Sequence, residues 1–178
     1  MQAVGEGGVV SEEQRSEQRS GCPINAAVEV VGDRWTMLVL RDIMFGDRRH
    51  FRQLQSRSEE GIASNILADR LKTLVDAGLL TRDEVRRGQR ATYSLTEPAI
   101  QLVPVLAALA SWGLRHRPTT PELRVRAELL EAGGPQLWAE FMDELRERHL
   151  GIARPDTGKP TATERLAEAY AQAVAAEA

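Results

Sequence analysis

GIASNILADRLKTLVDAGLL, residues 61–80, is the stretch that decides how this chain is read. Ile62, Ile66, Leu67, Leu71, Leu74 and Val75 recur at helical spacing and form one apolar stripe fit for burial. The other side of the same helix carries Ser64, Asn65, Ala68, Asp69 and Lys72. Toward its N-terminus these are short groups that donate and accept hydrogen bonds, the chemistry that suits base edges in a major groove. Gly78 supplies a residue able to take positive φ just past the helix end. Alone, the pattern describes any amphipathic surface helix; its neighbours change the reading.

Upstream, residues 34–45 are apolar on nearly every side (Trp35, Met37, Leu38, Val39, Leu40, Ile43, Met44), which places that helix centrally. Gly46-Asp47 ends it. Residues 49–55 put Phe51 and Leu54 on one side of a brief helix, and residues 56–61 form a polar turn. The order is helix, turn, helix, with the second helix as candidate reader. Earlier still, Pro23 opens a helix in which Ile24, Ala27, Val28 and Val31 keep helical spacing up to Gly32, so Cys22 stands at a helix N-terminus.

Downstream, the period switches to alternation. Residues 79–86 and 91–95 read as two strands, with Tyr93 and Leu95 on one face. Between them runs Arg86-Arg87-Gly88-Gln89-Arg90, and a hairpin with an arginine-rich tip is a wing suited to phosphates or a minor groove. Thr96 is placed to cap a further helix rich in Leu102, Val103, Val105, Leu106, Leu109 and Trp112, with Pro104 predicting a kink or restart. That stripe needs covering surface, and a second copy of the chain is the expected source, with the Pro23 helix contributing. Beyond residue 120, two helices separated by Gly133-Gly134, a Gly/Pro/Thr-rich linker and an alanine-rich terminal helix are expected.

The domain plan is therefore a flexible arm (1–20), a DNA-binding domain (21–118), a helical extension (119–150), and a linker with terminal helix (151–178). The fold class is mainly α with a small β-hairpin. At 42% hydrophobic content the chain can bury a core. No apolar run reads as long enough to cross a bilayer, and the N-terminus lacks a secretion signal, so the chain is read as cytoplasmic, with no membrane partner. One cysteine and three scattered histidines offer neither a disulfide framework nor zinc spacing, so no metal or cofactor is expected. The net charge of −3 is unevenly spread: residues 1–20 carry −2, residues 21–120 carry +3 and residues 121–178 carry −4. The basic excess surrounds the stretch quoted first.

Cys22-Pro23-Ile24, Gly32-Asp33-Arg34-Trp35-Thr36, Gly61-Ile62, Leu67-Ala68-Asp69-Arg70-Leu71, Tyr93-Ser94-Leu95-Thr96 and Ser111-Trp112-Gly113 follow one another in an order that resembles the HxlR-type winged helix-turn-helix transcriptional regulators. The resemblance covers residues 22–113. It implies a dimeric bacterial regulator on a roughly palindromic operator, with the flanking helices forming the dimer. It also implies a candidate redox role for Cys22, because some members sense oxidants or electrophiles with a cysteine at this position. Ala63 stands where those proteins commonly carry a capping serine, which leaves Ser64 to take over the cap.

The leading expectation is a repressor that binds duplex DNA as a homodimer. Ser64, Asn65 and Asp69 are the candidates for base contact, Asn65 foremost because its amide can address adenine with two bonds. Arg52, Lys72, Arg82, Arg86, Arg87 and Arg90 are the candidates for phosphate or wing contact. Cys22 at a helix N-terminus is the candidate redox sensor. A small aromatic effector is the alternative signal, in an apolar pocket between the Leu102–Trp112 and Leu137–Leu145 helices, with Trp112, Trp138, Phe141 and Met142. The competing class is a winged-helix protein-interaction module whose acidic extension binds a partner. An enzyme is least supported: Cys22 has no histidine nearby in sequence, and His50, His116 and His149 are isolated.

Overall fold

The computed structural model describes residues 20–83, 90–156 and 158–177. The chain divides into two compact units, Met1–Arg34 and Trp35–Ala178. In the first, helix α1 (Pro23–Val31) starts on Pro23 at its first position, and none of its residues is buried. Ile24 is 74% exposed and Val28 56%.

The second unit is built on α2 (Arg34–Gly46), whose Val39, Leu40, Ile43 and Met44 are at most 4% exposed. α3 (Phe51–Ser56), with Leu54 buried, packs with α4 (Ser64–Asp76), in which Leu67, Leu71 and Leu74 are buried. Each such leucine contributes about 1.5–3 kcal/mol relative to exposure. Ile66 and Val75, the flanks of the predicted stripe, are half-buried. α4 ends at Gly78 (φ +69°): Gly78 N–H donates to Val75 O (3.0 Å) and Leu79 N–H to Leu74 O (2.9 Å), and the side chains of Leu74 and Leu79 are both buried. That closure turns the chain directly into β1 (Leu80–Arg82).

β1 pairs antiparallel with β2 (Tyr93–Leu95), in the register Leu80 to Leu95, Thr81 to Ser94 and Arg82 to Tyr93. Asp83 N–H donating to Thr92 O (3.1 Å) extends the ladder by one rung. Alternation predicted one covered face for β2, but all three of its residues are buried. The reason lies on its far side. Tyr93 N–H donates to Arg49 O (2.8 Å), and the Arg49 guanidinium caps Tyr93 O and Ser94 Oγ. Leu95 N–H donates to His149 Nδ1 (3.3 Å).

The next apolar run divides into α5 (Glu97–Ile100) and α6 (Val103–His116), so Pro104 marks a restart, in the first turn of α6. Thr96 occupies the N-cap position of α5 but makes no side-chain cap; its Oγ1 donates to Gly78 O (2.7 Å) instead, tying the hairpin base. Residues 97–116 are, by length and composition, long and apolar enough to cross a membrane, which corrects the sequence reading that no such run exists. The break at Gln101-Leu102 leaves α6 with 14 residues, about 21 Å of helix against about 30 Å of hydrocarbon.

α7 (Pro121–Leu150) is two helical segments joined at Gly134, whose φ of 53° and ψ of −152° are not helical. Trp138 Nε1–H donates to Leu130 O (2.8 Å) across this kink and ties the two segments together. Leu137, Phe141 and Leu145 are buried, and Phe141 stacks on Phe45 of α2 at 4.9 Å between ring centroids. α8 (Ala162–Glu177) packs on α7. Its start is held by the buried carboxylate of Glu144, which accepts Ala162 N–H, Thr163 N–H and the Thr163 hydroxyl. Mainly helical with one two-stranded hairpin, the architecture is a winged helix-turn-helix followed by a helical extension.

Candidate nucleic-acid interface

The turn between α3 and α4 is anchored to α2 by charge. Arg41 Nη1 and Nη2 donate to the two oxygens of Glu60 (2.7 and 3.0 Å). Arg41 also holds Asp42 Oδ1, and Arg48 Nη1 donates to Asp42 Oδ2 (2.8 Å). Asp42 is buried, and its two guanidinium partners compensate its desolvation. Burial works against the Arg41 charge, but the bonds to Glu60 and Asp42 outweigh it and hold its pKa above the ordinary value. Ser58 Oγ accepts Ile62 N–H (3.3 Å), and Ile62 drops into the core.

α4 therefore begins from a fixed turn. Its N-cap is Ala63, with no side-chain oxygen to offer, and Ser64 does not take over the cap as the sequence reading expected: it is the first helical residue. The first-turn N–H groups therefore have no side-chain cap at the positive end of the helix, an arrangement that favours an anion. Ser64, Asn65, Ala68, Asp69 and Lys72 are all exposed. The side chains of Ser64 and Asn65 make no hydrogen bond among the described residues, so their donors and acceptors are uncommitted. Asp69 is paired with Arg70, and Lys72 Nζ donates to Asp76 Oδ2 (2.9 Å). Both groups of the second pair lie well out in water, so that pair competes weakly with an incoming phosphate. Its hydrogen bond and the charge of Asp76 raise the pKa of Lys72.

Arg52 on α3, and Arg82 and Arg90 on the hairpin, are exposed. Arg86 and Arg87 lie outside the described residues. Arg57 was missed by the sequence reading; it is exposed at the C-terminus of α3, in the turn leading to α4. A count of cations confined to that turn would have found it.

Each histidine has its own local neighbour, apart from the other two: His50 Nδ1 lies 3.1 Å from Ala91 O, His116 sits beside the Trp112 ring, and His149 holds β2. Burial, with Arg49 and Arg148 adding to it, pushes the His149 pKa down to about 4. The apolar pocket exists, with a cavity of about 410 Å3, but α2, α6 and the first segment of α7 line it. Trp112, Trp138, Phe141 and Met142 are not among its walls, because Phe141 is consumed by the core and Trp112 faces solvent. The acidic extension is also less available than its net charge implied. Glu131, Glu128, Asp143, Glu147 and Glu140 pair with Arg115, Arg124, Arg146, Arg154 and Arg165 respectively.

Cys22, in the other unit, is exposed at the N-cap of α1; its N–H donates to Ser20 Oγ (3.1 Å) and its carbonyl accepts Ala26 N–H (3.0 Å).

Comparison with known proteins places residues 30–121 on the model of the HxlR-like helix-turn-helix. The chain is 37% identical over 114 residues to the uncharacterized HTH-type transcriptional regulator Rv3095 of Mycobacterium tuberculosis, covering 62% of this chain and 70% of that one. It is 33% identical over 93 residues to the HTH-type transcriptional regulator sll1512 of Synechocystis, covering 52% and 67%. Among solved structures, that of PA1607, described as a candidate transcription factor, superposes with a TM-score of 0.52 at 34% identity, covering 58% of this chain and 71% of that one.

Proposed function

This chain belongs to the HxlR-like helix-turn-helix family of transcriptional regulators, and from that premise we propose that it binds a palindromic duplex-DNA operator as a homodimer in the cytoplasm and acts there as a repressor. The observation that carries this reading is the open polar face of α4, where Ser64 and Asn65 are exposed and uncommitted while the opposite face is locked in the core. Asn65 addresses a base, with Ser64 beside it. Asp69 serves mainly to hold Arg70. Arg52, Arg57, Lys72, Arg82 and Arg90, together with Arg86 and Arg87 of the wing, supply phosphate contacts that set register and salt dependence. The DNA-binding domain is taken as residues 21–118, after an arm of residues 1–20. The helical extension (119–150) and the linker with terminal helix (151–178) brace it.

Dimerisation is supported by what each unit leaves uncovered. α1 buries none of its apolar residues, and α6 exposes Val105, Leu109 and Trp112 at 45%, 51% and 49%. Apolar faces of this kind mark surfaces meant for protein. Two copies related by a twofold axis would present two α4 helices to half-sites about 34–36 Å apart.

The exposed thiol of Cys22 favours a second layer, in which oxidation or an electrophile switches DNA binding. A small effector is the alternative signal. The interaction-module reading is the weaker one, because only the net charge of the extension favours it and several of its acids already hold arginine partners.

The test is selection of bound duplexes from a random pool, run with reduced and oxidised protein. Enrichment of an inverted repeat with half-sites one helical turn apart supports the reading. No enriched motif in either state refutes it, and a Cys22→Ser protein that responds to oxidant as the parent does removes the thiol.

A further inference from the structure

The cavity between α2, α6 and the first segment of α7 measures about 410 Å3, the size of a small-molecule site. Leu38, Phe45, Leu106, Ala110 and Leu130 give it an apolar floor. The cleft opens to solvent, so an apolar occupant would cover wall that water now touches.

The charged residues on its walls are not equally engaged. Asp42 has both oxygens taken by Arg41 and Arg48. Arg126 differs from those arginines. It is half-buried, its guanidinium lies 4.2 Å over the Tyr170 ring, its Nε–H donates to Leu166 O (3.4 Å), and it forms no ion pair among the described residues. Glu59 also lines the space and attracts Arg126, but stands beyond ion-pair distance; Arg48 repels it. Burial pushes the Arg126 pKa below its ordinary value. A guanidinium stripped of part of its water, with its terminal donors uncommitted and an apolar chamber beside it, is matched by an anion with an apolar body.

We propose that this cavity binds a small monocarboxylate with an apolar or aromatic body, the carboxylate on Arg126 and the body between α2, α6 and α7. The site is wired to the helix that faces DNA. Arg41 on its wall grips Glu60, Glu59 is itself a wall residue, and these two glutamates lie within the turn that enters α4 at Ser64. Occupancy thus alters the seating of α4. This coupling rests on the DNA-binding reading; the binding step does not.

Calorimetric titration of the full chain with 2-naphthoate and with neutral 2-naphthamide tests the site. The expected result is naphthoate binding at least about tenfold tighter than the amide, a preference lost in Arg126→Gln and kept in Arg126→Lys. Ala110→Phe, which fills the chamber and leaves the charge in place, abolishes naphthoate binding while the melting temperature reports folding. Equal binding of the two probes, a preference surviving in Arg126→Gln, undiminished binding to Ala110→Phe, or no binding of either probe overturns the proposal. The last is also what a cavity closed by a second copy would give. A change in affinity for the selected duplex on adding naphthoate supports the coupling, and an unchanged affinity refutes it. Failure to select any duplex leaves the titration intact, so the two readings fail separately.

Discussion

α4 and α6 are helices of nearly equal length in the same unit, and they leave opposite surfaces open. α4 buries Leu67, Leu71 and Leu74 and presents serine, asparagine, aspartate and lysine. α6 buries the smaller Val103, Ala107 and Ser111 and leaves Val105, Leu109 and Trp112 facing out. Water tolerates the first surface indefinitely, so its use has to be read from hydrogen-bonding chemistry. The second keeps apolar area in water that burial would stabilise by about 25 cal/mol per Å2, so the fold is unfinished there until something covers it. One helix is complete in a single copy; the other, like α1, leaves apolar side chains exposed.

The largest expected effect breaks α6. Leu109→Asp places a charge on a half-exposed position, so the subunit stays folded while sedimentation shows monomers. Operator affinity falls by roughly 100-fold as the two half-sites lose their linkage. A variant that remains dimeric with full affinity erases the contrast between the two helices.

The next prediction concerns the hairpin beside α4, which His149 of the extension holds. The unfolded chain takes up a proton on this ring near pH 6.5, whereas the folded chain does so only near pH 4. The stabilising effect of the neutral ring is therefore complete above pH 6.5 and is lost as pH falls toward 4. By linkage that is at most about 3 kcal/mol, less after solvent screening. Urea denaturation of His149→Gln should show a flatter profile across that window; an identical profile would mean that the wing is not braced in this way.

Asn65→Ala should lower affinity about tenfold and leave dimerisation and melting temperature unchanged, since the side chain is exposed and unbonded. Equal loss on specific and random duplex would move Asn65 from the base-contacting group to the phosphate-contacting one. The smallest effect is expected for Arg52→Ala, a few-fold loss uniform across sequences, with the salt slope of binding reduced by about 1.

Much of this contrast was legible in the sequence because it is written in periodicity. The α4 stripe, the Gly78 stop, the restart at Pro104 and the kink at Gly133-Gly134 are local consequences of side-chain type and backbone freedom. What escaped notice depends on residues far apart in the chain. Alternation could not reveal that Arg49 and His149 cover β2, nor composition that five acids of the extension pair with arginines, four of them its own. The pocket was expected between the wrong helices for a related reason: Phe141 and Trp138 look like lining residues until the fold assigns one to a stack on Phe45 and the other to capping Leu130. At the α4 surface the residue types were legible, but not that Ser64 leaves the cap unmade.

The most direct test of the α4 assignment crosses Asn65→Ala with every single-base variant of a selected half-site. The account predicts that wild-type protein discriminates at each position of the half-site and that the variant loses discrimination at one position while keeping it at the others. A discrimination profile that is the same in both proteins at every position would contradict it.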